Sequence, residues 1–394
     1  MNKLSIDKVD LAGKRVFIRV DFNVPLAKGE VTDDTRIAEA LPTIKYASDA
    51  GAKVIVASHL GRPKGERKPE FSLTHILNVF EHNLGRKVTF VEDCVGEKVQ
   101  TAVDAMAEGD ILLLENLRFY KEETENDDEF SKKLASLADV YINDAFGTAH
   151  RSHASTAGMT KYIKTCAAGF LMKNEIEFFN KAMGNPERPV AVILGGAKIS
   201  TKLGVVENLL DKCEILIVGG AMAFTFLKAL GFNVGPNMVE DDMLKKVMGV
   251  MAKTRQKKIK LYLPVDFILT DSIEGGVARD TVTRQELPED MIAADIGPAT
   301  SMLYKLALKN AKTIIWNGPM GVFEKLAFAN GTLEVAKTVA ESSALSVVGG
   351  GDSVTAVNKA GLKDKMSFLS TGGGAFLEQM EGRELPGISA LNDA

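Results

Sequence analysis

Ten short apolar runs, each followed by a polar or glycine-bearing turn, recur along this 394-residue chain with helical stretches between them. KRVFIRV (14–20) leads into Asp21, Phe22, Asn23 and Val24, KVIVA (53–57) into SHLGRP (58–63), ILLL (111–114) into ENLRF (115–119), and DVYI (139–142) into NDAFGTAHRSH (143–153). Six more follow: VAVIL (190–194), ILIV (215–218), IKLYL (259–263), TIIW (313–316), LSVV (345–348) and SFLS (367–370). Runs this short and this apolar, alternating with stretches such as DDTRIAEALPTIKYASDAG (33–51), are the pattern of parallel strands covered by helices on both faces. The constraint reaches beyond fold class, because such sheets bind ligands at the carboxyl ends of their strands. Residues 268–292 break the rhythm and read as a surface β excursion.

In the first half the polar residues gather at those strand ends: Asp21, Asn23, His59, Arg62, Arg118, His150 and Arg151, with Arg36 at the start of the first long helical stretch. Singly, each has a structural explanation as a turn former, a cap or a satisfied histidine. Together, four arginines beside a histidine and an acceptor pair make a socket for a small ligand bearing phosphate, carboxylate and hydroxyl groups. The acidic stretch KEETENDDEF (121–130) reads as the start or cap of a solvated helix and is given no function. GRPKGERKPE (61–70) reads as a charged loop able to cover a bound ligand.

The punctuation changes after FLMKNEIEFFNKAM (170–183), whose three- and four-residue apolar spacing predicts an amphipathic helix stopped by GNPERP (184–189). All 5 histidines precede it and 23 of the 35 glycines follow Gly184. Arginine and histidine suit an acidic small molecule, whereas glycine turns suit close backbone approach to phosphates. The contrast points to two domains joined by this helix; one large domain with the helix buried is the alternative that length allows. No GxxxxGK[ST] occurs, and no strand is followed by GxGxxG with a downstream acid, which sets aside a Walker loop and a dinucleotide fold. GGAKISTK (195–202) carries Lys198 and Lys202 four apart, expected on one helix face within reach of phosphate oxygens. GGGD (349–352) offers bare amides at a helix N-terminus, where an anion is favoured. Asp352 beside phosphates calls for Mg²⁺ between them. TGGGA (371–375) is a second such helix start, and the plain alternative is that all these glycines serve tight turns.

A net charge of -4 argues against nucleic acid as the main partner. The apolar runs are too short to span a membrane, and the first residues, MNKLSIDKVDLAGK, lack an apolar stretch of signal-peptide length, so a cytoplasmic location is expected. Cys94, Cys166 and Cys213, odd in number and without CxxC, read as small core residues in a reducing compartment.

RVDFNVP (19–25), SHLGRP, ENLRF, NDAFGTAHRSHAS (143–155), GFLMKNE (169–175), ERPVAVILGGAK (187–198), WNGPMGVFE (316–324), GGGDS and STGGGA occur in order. In them the chain resembles the phosphoglycerate kinases, from about residue 14 to its tail. The resemblance implies an α/β fold of two Rossmann-like domains with parallel sheets joined by a central helix. Residues 1–169 would bind 3-phosphoglycerate, 170–185 would form the interdomain helix, 186–379 would bind nucleotide, and the tail 380–394 would pack back on the first domain. It further implies reversible Mg²⁺-dependent transfer between 1,3-bisphosphoglycerate and ADP in glycolysis, by domain closure and in-line transfer, in a cytoplasmic monomer.

Carried over position by position, the resemblance assigns 3-phosphoglycerate to Asp21, Phe22, Asn23, Arg36 and His59, and to Leu60, Gly61, Arg62, Arg118 and Arg151. It assigns the nucleotide to Gly196, Ala197, Lys198 and Lys202, and to Gly219, Gly220 and Ala293. Asn317, Pro319, Gly321, Val322 and Glu324 would border the adenosine, and Gly350, Gly351, Asp352 and Ser353 the phosphates, with Asp352 also at the metal. Arg36, Lys202 and the 372–374 amides, Gly373 among them, would face the group in flight. Ala221 and Ala293 depart from the family at places where many relatives carry glycine, with a modest effect on nucleotide affinity expected. The carboxylate acceptor is already ionised at neutral pH, so positioning and charge stabilisation suffice without a general base. Two other readings stand beside this one: a phosphohistidine phosphotransferase using His59 or His150, and a nucleotide-binding regulatory protein without turnover.

Overall fold

The computed structural model describes residues 2–394. The chain divides into two compact units, Met1–Glu177 with Glu384–Ala394, and Phe178–Arg383. In the first unit β1 (Arg15–Arg19) precedes a small hairpin, β2 (Leu26–Ala27) and β3 (Glu30–Val31). Then come β4 (Lys53–Ala57), β5 (Thr89–Val91), β6 (Ile111–Leu114), β7 (Val140–Asn143) and β8 (Thr165–Ala168). Outside the hairpin, every pair is parallel, in the order β5-β6-β4-β1-β7-β8. The chain therefore builds outward from β1 on one side and later from β7 on the other. Turns leaving β1 and β7 diverge there, opening the crevice in which doubly wound sheets hold ligands.

The strands form because they can be buried on both faces. Val16, Phe17, Ile18, Val54, Ile55, Val56 and Ile142 are all fully buried. Helix Thr35–Asp49 presents Ile37, Leu41 and Ile44 to the same core at four- and three-residue spacing, and helix Thr74–Leu84 adds Ile76 and Phe80. Each such side chain contributes about 1.5–3 kcal/mol on burial. Register sets the crevice's floor: Arg19 lies level with Ala57 and with Asn143, so the turns after three strands begin at one height.

The second unit repeats the plan with β9 (Val190–Leu194), β10 (Ile215–Val218), β11 (Lys260–Tyr262), β12 (Asp266–Thr270), β13 (Thr281–Thr283), β14 (Ile292–Ile296), β15 (Thr313–Asn317), β16 (Leu345–Gly349) and β17 (Phe368–Leu369). Its parallel sheet runs β11-β10-β9-β15-β16-β17, with the reversal between β9 and β15. Asn317 is level with Leu194 and Gly349, so the three glycine turns also start together. β12, β13 and β14 form a separate antiparallel sheet in the order β13-β12-β14. Residues 268–292, expected as a surface excursion, are mostly exposed, while the sheet's two flanks, with Phe267 and Leu269 on one side and Ala294 and Ile296 on the other, are buried.

The amphipathic run after Gly169 is α-helical over Phe170–Phe179 and ends in a π turn, Asn180–Gly184. Its start is held by two buried groups: Thr43 Oγ1 accepts from Phe170 N at 2.9 Å and Asp144 Oδ1 from Met172 N at 3.1 Å. The boundary between the two compact units, Glu177 to Phe178, falls within it. The last residues hydrogen-bond into the first unit, with Leu4 N donating to Asn392 O at 2.9 Å and Asn143 Nδ2 to Gly387 O at 3.0 Å. Among the described residues, no helix is long and apolar enough to cross a membrane.

Candidate active site

The first unit's strand ends assemble a cationic socket. Arg36, on the first turn of helix Thr35–Asp49, donates from Nη1 to Asp21 Oδ2 at 2.9 Å and to Asn23 O at 3.3 Å. Asn23 Oδ1 accepts from Gly61 N at 2.8 Å, tying the turn after β1 to the turn after β4. Gly61 has φ +62°, and a Cβ there would stand 2.4 Å from the Phe71 ring, so no larger residue fits the link. On its other side, Gly61 O accepts from Arg118 Nη1 at 2.9 Å.

Arg118 is the unusual member. It is buried, and its Nε and Nη2 have no partner in the protein. Burial, then the neighbouring Arg19 and Arg151, bring its pKa down to about 10, which still leaves it cationic at neutral pH. Beside it lies a cavity of about 390 Å³ lined by Arg62, Lys64, Gly65, Arg118, Thr124, Arg151 and His153, with cations and no carboxylate. A buried donor fork without an acceptor, among like charges, is an arrangement suited to an anion.

His59 is buried beneath this group. Its Nδ1 lies 3.2 Å from Arg19 Nη2, and since a guanidinium only donates, Nδ1 accepts and the ring proton sits on Nε2, 3.9 Å from Asp21 Oδ1. Burial, then Arg19, Arg118, Arg151 and Arg36, push its pKa well below the ordinary histidine value, so the ring is neutral. Both ring lone-pair positions are thereby occupied, by Arg19 and by the proton, which removes His59 as a phosphoryl acceptor. At His150, Nε2 likewise accepts from Arg151 Nε, at 3.3 Å. Phe22 and Leu60, assigned to the ligand by resemblance, bury their side chains, Phe22 packing 5.1 Å from the Phe80 ring, and have only backbone to offer.

The second unit holds a larger and mostly apolar cavity of about 460 Å³. Gly196, Ala197, Gly220, Ala293, Pro319, Gly321, Val322, Glu324 and Asp352 line it, as the resemblance implies, and so does Ala221. Its walls add Phe224, Met238, Phe267, Ile273 and Ile292, of which Phe267 and Ile292 come from the small antiparallel sheet. Asn237 has both ends engaged, donating to Val234 O at 2.8 Å and accepting from Ala293 N at 2.9 Å.

Lys198 and Lys202 do not share a helix face. The helix begins only at Leu203, with Lys202 as its N-cap, because the preceding turn is pinned by fully buried Ile199 and by Ser200 N on Glu240 at 3.0 Å. Lys198 is exposed, whereas Lys202 is buried and donates to Asn317 O at 3.2 Å and to Asn317 Oδ1. Burial lowers its pKa to about 8, against the opposing pull of Asp352. Asn317 Nδ2 continues to Gly349 O at 2.8 Å, and Ser353 Oγ accepts from Gly318 N at 2.6 Å. Asn317, Ser353 and Gly219 thus brace the three turns and do not line the cavity; a Cβ on Gly219 would meet Met320 Sδ at 2.4 Å.

Gly350 has φ +93° and leads into helix Gly351–Lys359, where a Cβ on Gly351 would meet nothing within 4 Å. That helix start is open to an anion. Gly373, at φ +49°, precedes helix Gly374–Met380 with the same open space. Among the described residues, no cluster of three or more His, Cys, Asp or Glu could hold a metal by itself. Asp352, exposed on the first helical turn and lining the cavity, supplies one carboxylate, which together with phosphate oxygens and water is a donor set that fits Mg²⁺.

Among the buried polar residues that escaped the sequence reading, four lie at or behind the two sites: Arg19, Glu123, Ser155 and Asp295. Only Arg19 carried a signal, a charge inside the apolar run VFIRV. Glu123 lies in the stretch expected to be a solvated helix, yet it is fully buried between helices Lys121–Glu125 and Asp128–Ala135 and the segment Ala154–Gly158.

Asp295 lines the second unit's cavity, accepting from Ile296 N at 2.9 Å and Gly331 N at 2.7 Å. Burial outweighs those bonds and pushes its carboxyl up to about 7. In the unfolded chain the group titrates near 3.9, so between about 4 and 7 the folded chain keeps a proton that the unfolded chain has released. The resulting stability is fully present below the unfolded value and is lost as pH rises through about 7, at roughly 1.4 kcal/mol per unit. Asp144 is pushed to about 7 by the same cause and adds to the slope. Urea unfolding midpoints should fall from pH 5 to 7.5, and Asp295→Asn should flatten that fall; an unchanged slope would reject the assignment.

Comparison with known proteins adds the family. The family model described as phosphoglycerate kinase matches residues 6–383. Curated phosphoglycerate kinases of Thermosipho africanus and Geobacter metallireducens are 55% and 54% identical, covering 99% and 98% of this chain and 98% of each relative. The solved phosphoglycerate kinase structure from Coxiella burnetii has a TM-score of 0.91 at 43% identity, and that from Pyrococcus horikoshii 0.85 at 35%, each covering 98% of both chains.

Proposed function

The chain belongs to the phosphoglycerate kinase family, kinases that transfer phosphate to a carboxyl group, and on that premise we propose that it exchanges a phosphoryl group between 1,3-bisphosphoglycerate and ADP, reversibly and with Mg²⁺, as a step of glycolysis. The observation that carries this reading is Arg118, whose buried Nε and Nη2 ask for an acidic ligand in the first unit while the second unit holds a separate cavity edged by glycine turns. A nucleotide-binding regulator without turnover would have no use for that second anion socket.

In this reading Arg62, Arg118 and Arg151 hold the 3-phosphate, and Asp21, Asn23, Arg36 and His59 orient the hydroxyl and carboxylate. Lys202, Gly351 and the backbone N–H of Ser353 attend the nucleotide phosphates, and Ala293, Pro319, Gly321, Val322 and Glu324 border the nucleoside. Mg²⁺ held between Asp352 and the phosphates would neutralise part of their charge. The acceptor carboxylate needs no base, so the residues act by positioning and by stabilising charge on the equatorial oxygens, with Arg36, Lys202 and the Gly373 turn as the groups facing it. Reacting atoms must come within about 3–3.5 Å. Closure about the central helix would meet that requirement and expel water. A cytoplasmic monomer without nucleic-acid or membrane partners completes the proposal, supported by the net charge of -4.

The test is 3-phosphoglycerate-dependent ATP consumption with Mg²⁺, coupled to removal of 1,3-bisphosphoglycerate. Arg36→Ala should lose about 10²-fold or more in kcat while its nucleotide Kd stays within about twofold. A normal kcat in that variant would end the role given to Arg36. Absence of turnover in the unmodified protein, with ATP still bound, would favour the regulatory reading.

A further inference from the structure

We propose that Glu123 and Ser155 are positioning residues for the phosphoryl acceptor, acting through Arg19 to fix which nitrogen of His59 carries the proton that the acceptor meets. The inference rests on reading the first unit's socket as the acceptor site, and it deepens that reading.

Four buried side chains form one chain of hydrogen bonds behind the socket. Glu123 grips Ser155 twice, accepting from its backbone N on Oε2 at 2.9 Å and from its hydroxyl on Oε1 at 2.6 Å. Ser155 Oγ accepts in turn from Arg19 Nε at 2.8 Å, and Arg19 Nη2 reaches His59 Nδ1 at 3.2 Å. Glu123, Ser155 and Arg19 are all fully buried, so solvent cannot substitute for any link. Tyr141 Oη donates to Ser155 O at 2.8 Å and holds the serine backbone in place.

The polarity of every link is forced. A carboxylate cannot donate, so the serine proton points at Glu123 and its lone pair at Arg19. A guanidinium cannot accept, so His59 Nδ1 is the acceptor and the proton is on Nε2. Burial pushes the Glu123 carboxyl up, but His153, Arg19 and Ser155 outweigh it and hold it below the ordinary value, so it is ionised at neutral pH. The relay therefore runs one way, from a carboxylate to a donor N–H on the socket side of His59. Without it the Arg19 guanidinium loses the acceptor that orients it, its Nη2 is free to leave Nδ1, and the imidazole could then take either tautomer, one of which would present a lone pair to an anionic acceptor and repel it.

Ser155→Ala removes the acceptor that anchors the Arg19 guanidinium without changing Arg19, Glu123 or any residue of the socket. Two readouts apply to the full-length protein. Long-range ¹⁵N NMR should find His59 pyridine-type at Nδ1 and pyrrole-type at Nε2 in the unmodified chain, and a mixture of tautomers in Ser155→Ala. In steady-state kinetics the variant should raise KM for 3-phosphoglycerate about tenfold, with kcat and KM for ATP within about twofold. Glu123→Gln, which sets an amide N–H₂ against one of the two Ser155 donors, should shift both readouts in the same direction, and it carries the test if Ser155→Ala does not fold. A single unchanged tautomer and an unchanged KM in a folded variant would overturn the proposal. If the unmodified protein does not turn over 3-phosphoglycerate, the acceptor-site reading fails, and the NMR result still decides whether the relay sets the tautomer.

Discussion

Arg118→Leu should raise KM for 3-phosphoglycerate by roughly 10²- to 10⁴-fold, the loss expected when two charge-assisted hydrogen bonds of about 1.5–3 kcal/mol each disappear. The argument starts from the free protein, where Arg118 Nε and Nη2 are buried without partners and Arg19 and Arg151 press on the same guanidinium. Such a residue strains the folded chain and is relieved by its ligand. Removing it should therefore leave thermal stability unchanged or raised, an effect opposite to that of deleting an ordinary buried ion-pair partner. Arg118→Lys should recover only part of the loss, because an ammonium keeps the charge but cannot present two parallel N–H groups. Initial rates with varied 3-phosphoglycerate, together with a melting curve, check both halves. A KM within threefold of the unmodified protein would remove Arg118 from the socket.

Lys202→Met should lower kcat/KM for ATP by about 10²- to 10³-fold and also change the shape of its pH profile. The lysine is buried against Asn317, and its pKa is held down at about 8. In the free enzyme the ammonium is fully present below that value and is lost as pH rises through it. The profile of kcat/KM for ATP should accordingly fall above about pH 8 in the unmodified protein. In Lys202→Met that alkaline limb should vanish, and its persistence would show that another group titrates there. The substitution preserves length and removes the charge, so loss of rate with an unchanged melting curve separates electrostatics from packing.

What could be read from the residues follows the range over which the deciding interactions act. All six strands of the second parallel sheet announce themselves as local apolar runs, as do β1, β4, β6 and β7 of the first. β5 and β8 do not: Thr89–Val91 is three residues long, and Thr-Cys-Ala-Ala at 165–168 lacks the run of branched side chains that marks a strand. The arginines at 62, 118 and 151 could be gathered because parallel topology alone sends strand ends to one edge. The lysine pair was misplaced because helix phase depends on where the helix starts, and here burial of Ile199 decided that. The relay behind His59 was beyond reach, since Glu123 and Ser155 lie 32 residues apart and Arg19 and Ser155 136 apart. No local pattern distinguishes a glutamate that faces water from one that anchors such a pairing.

The hydrogen bonds from residues 387 and 392 back to the first unit have a consequence for the order of events as the chain emerges from the ribosome. Phe178–Arg383 is one uninterrupted segment and can close its own sheet as soon as it is synthesised. The first unit, although made first, lacks Glu384–Ala394 until synthesis reaches them, so Asn143 Nδ2 and Leu4 N wait for their acceptors. The earlier-born unit is thus the later one to be finished, and a nascent chain stopped short of residue 384 would carry a completed second unit beside a first one still missing its final contacts.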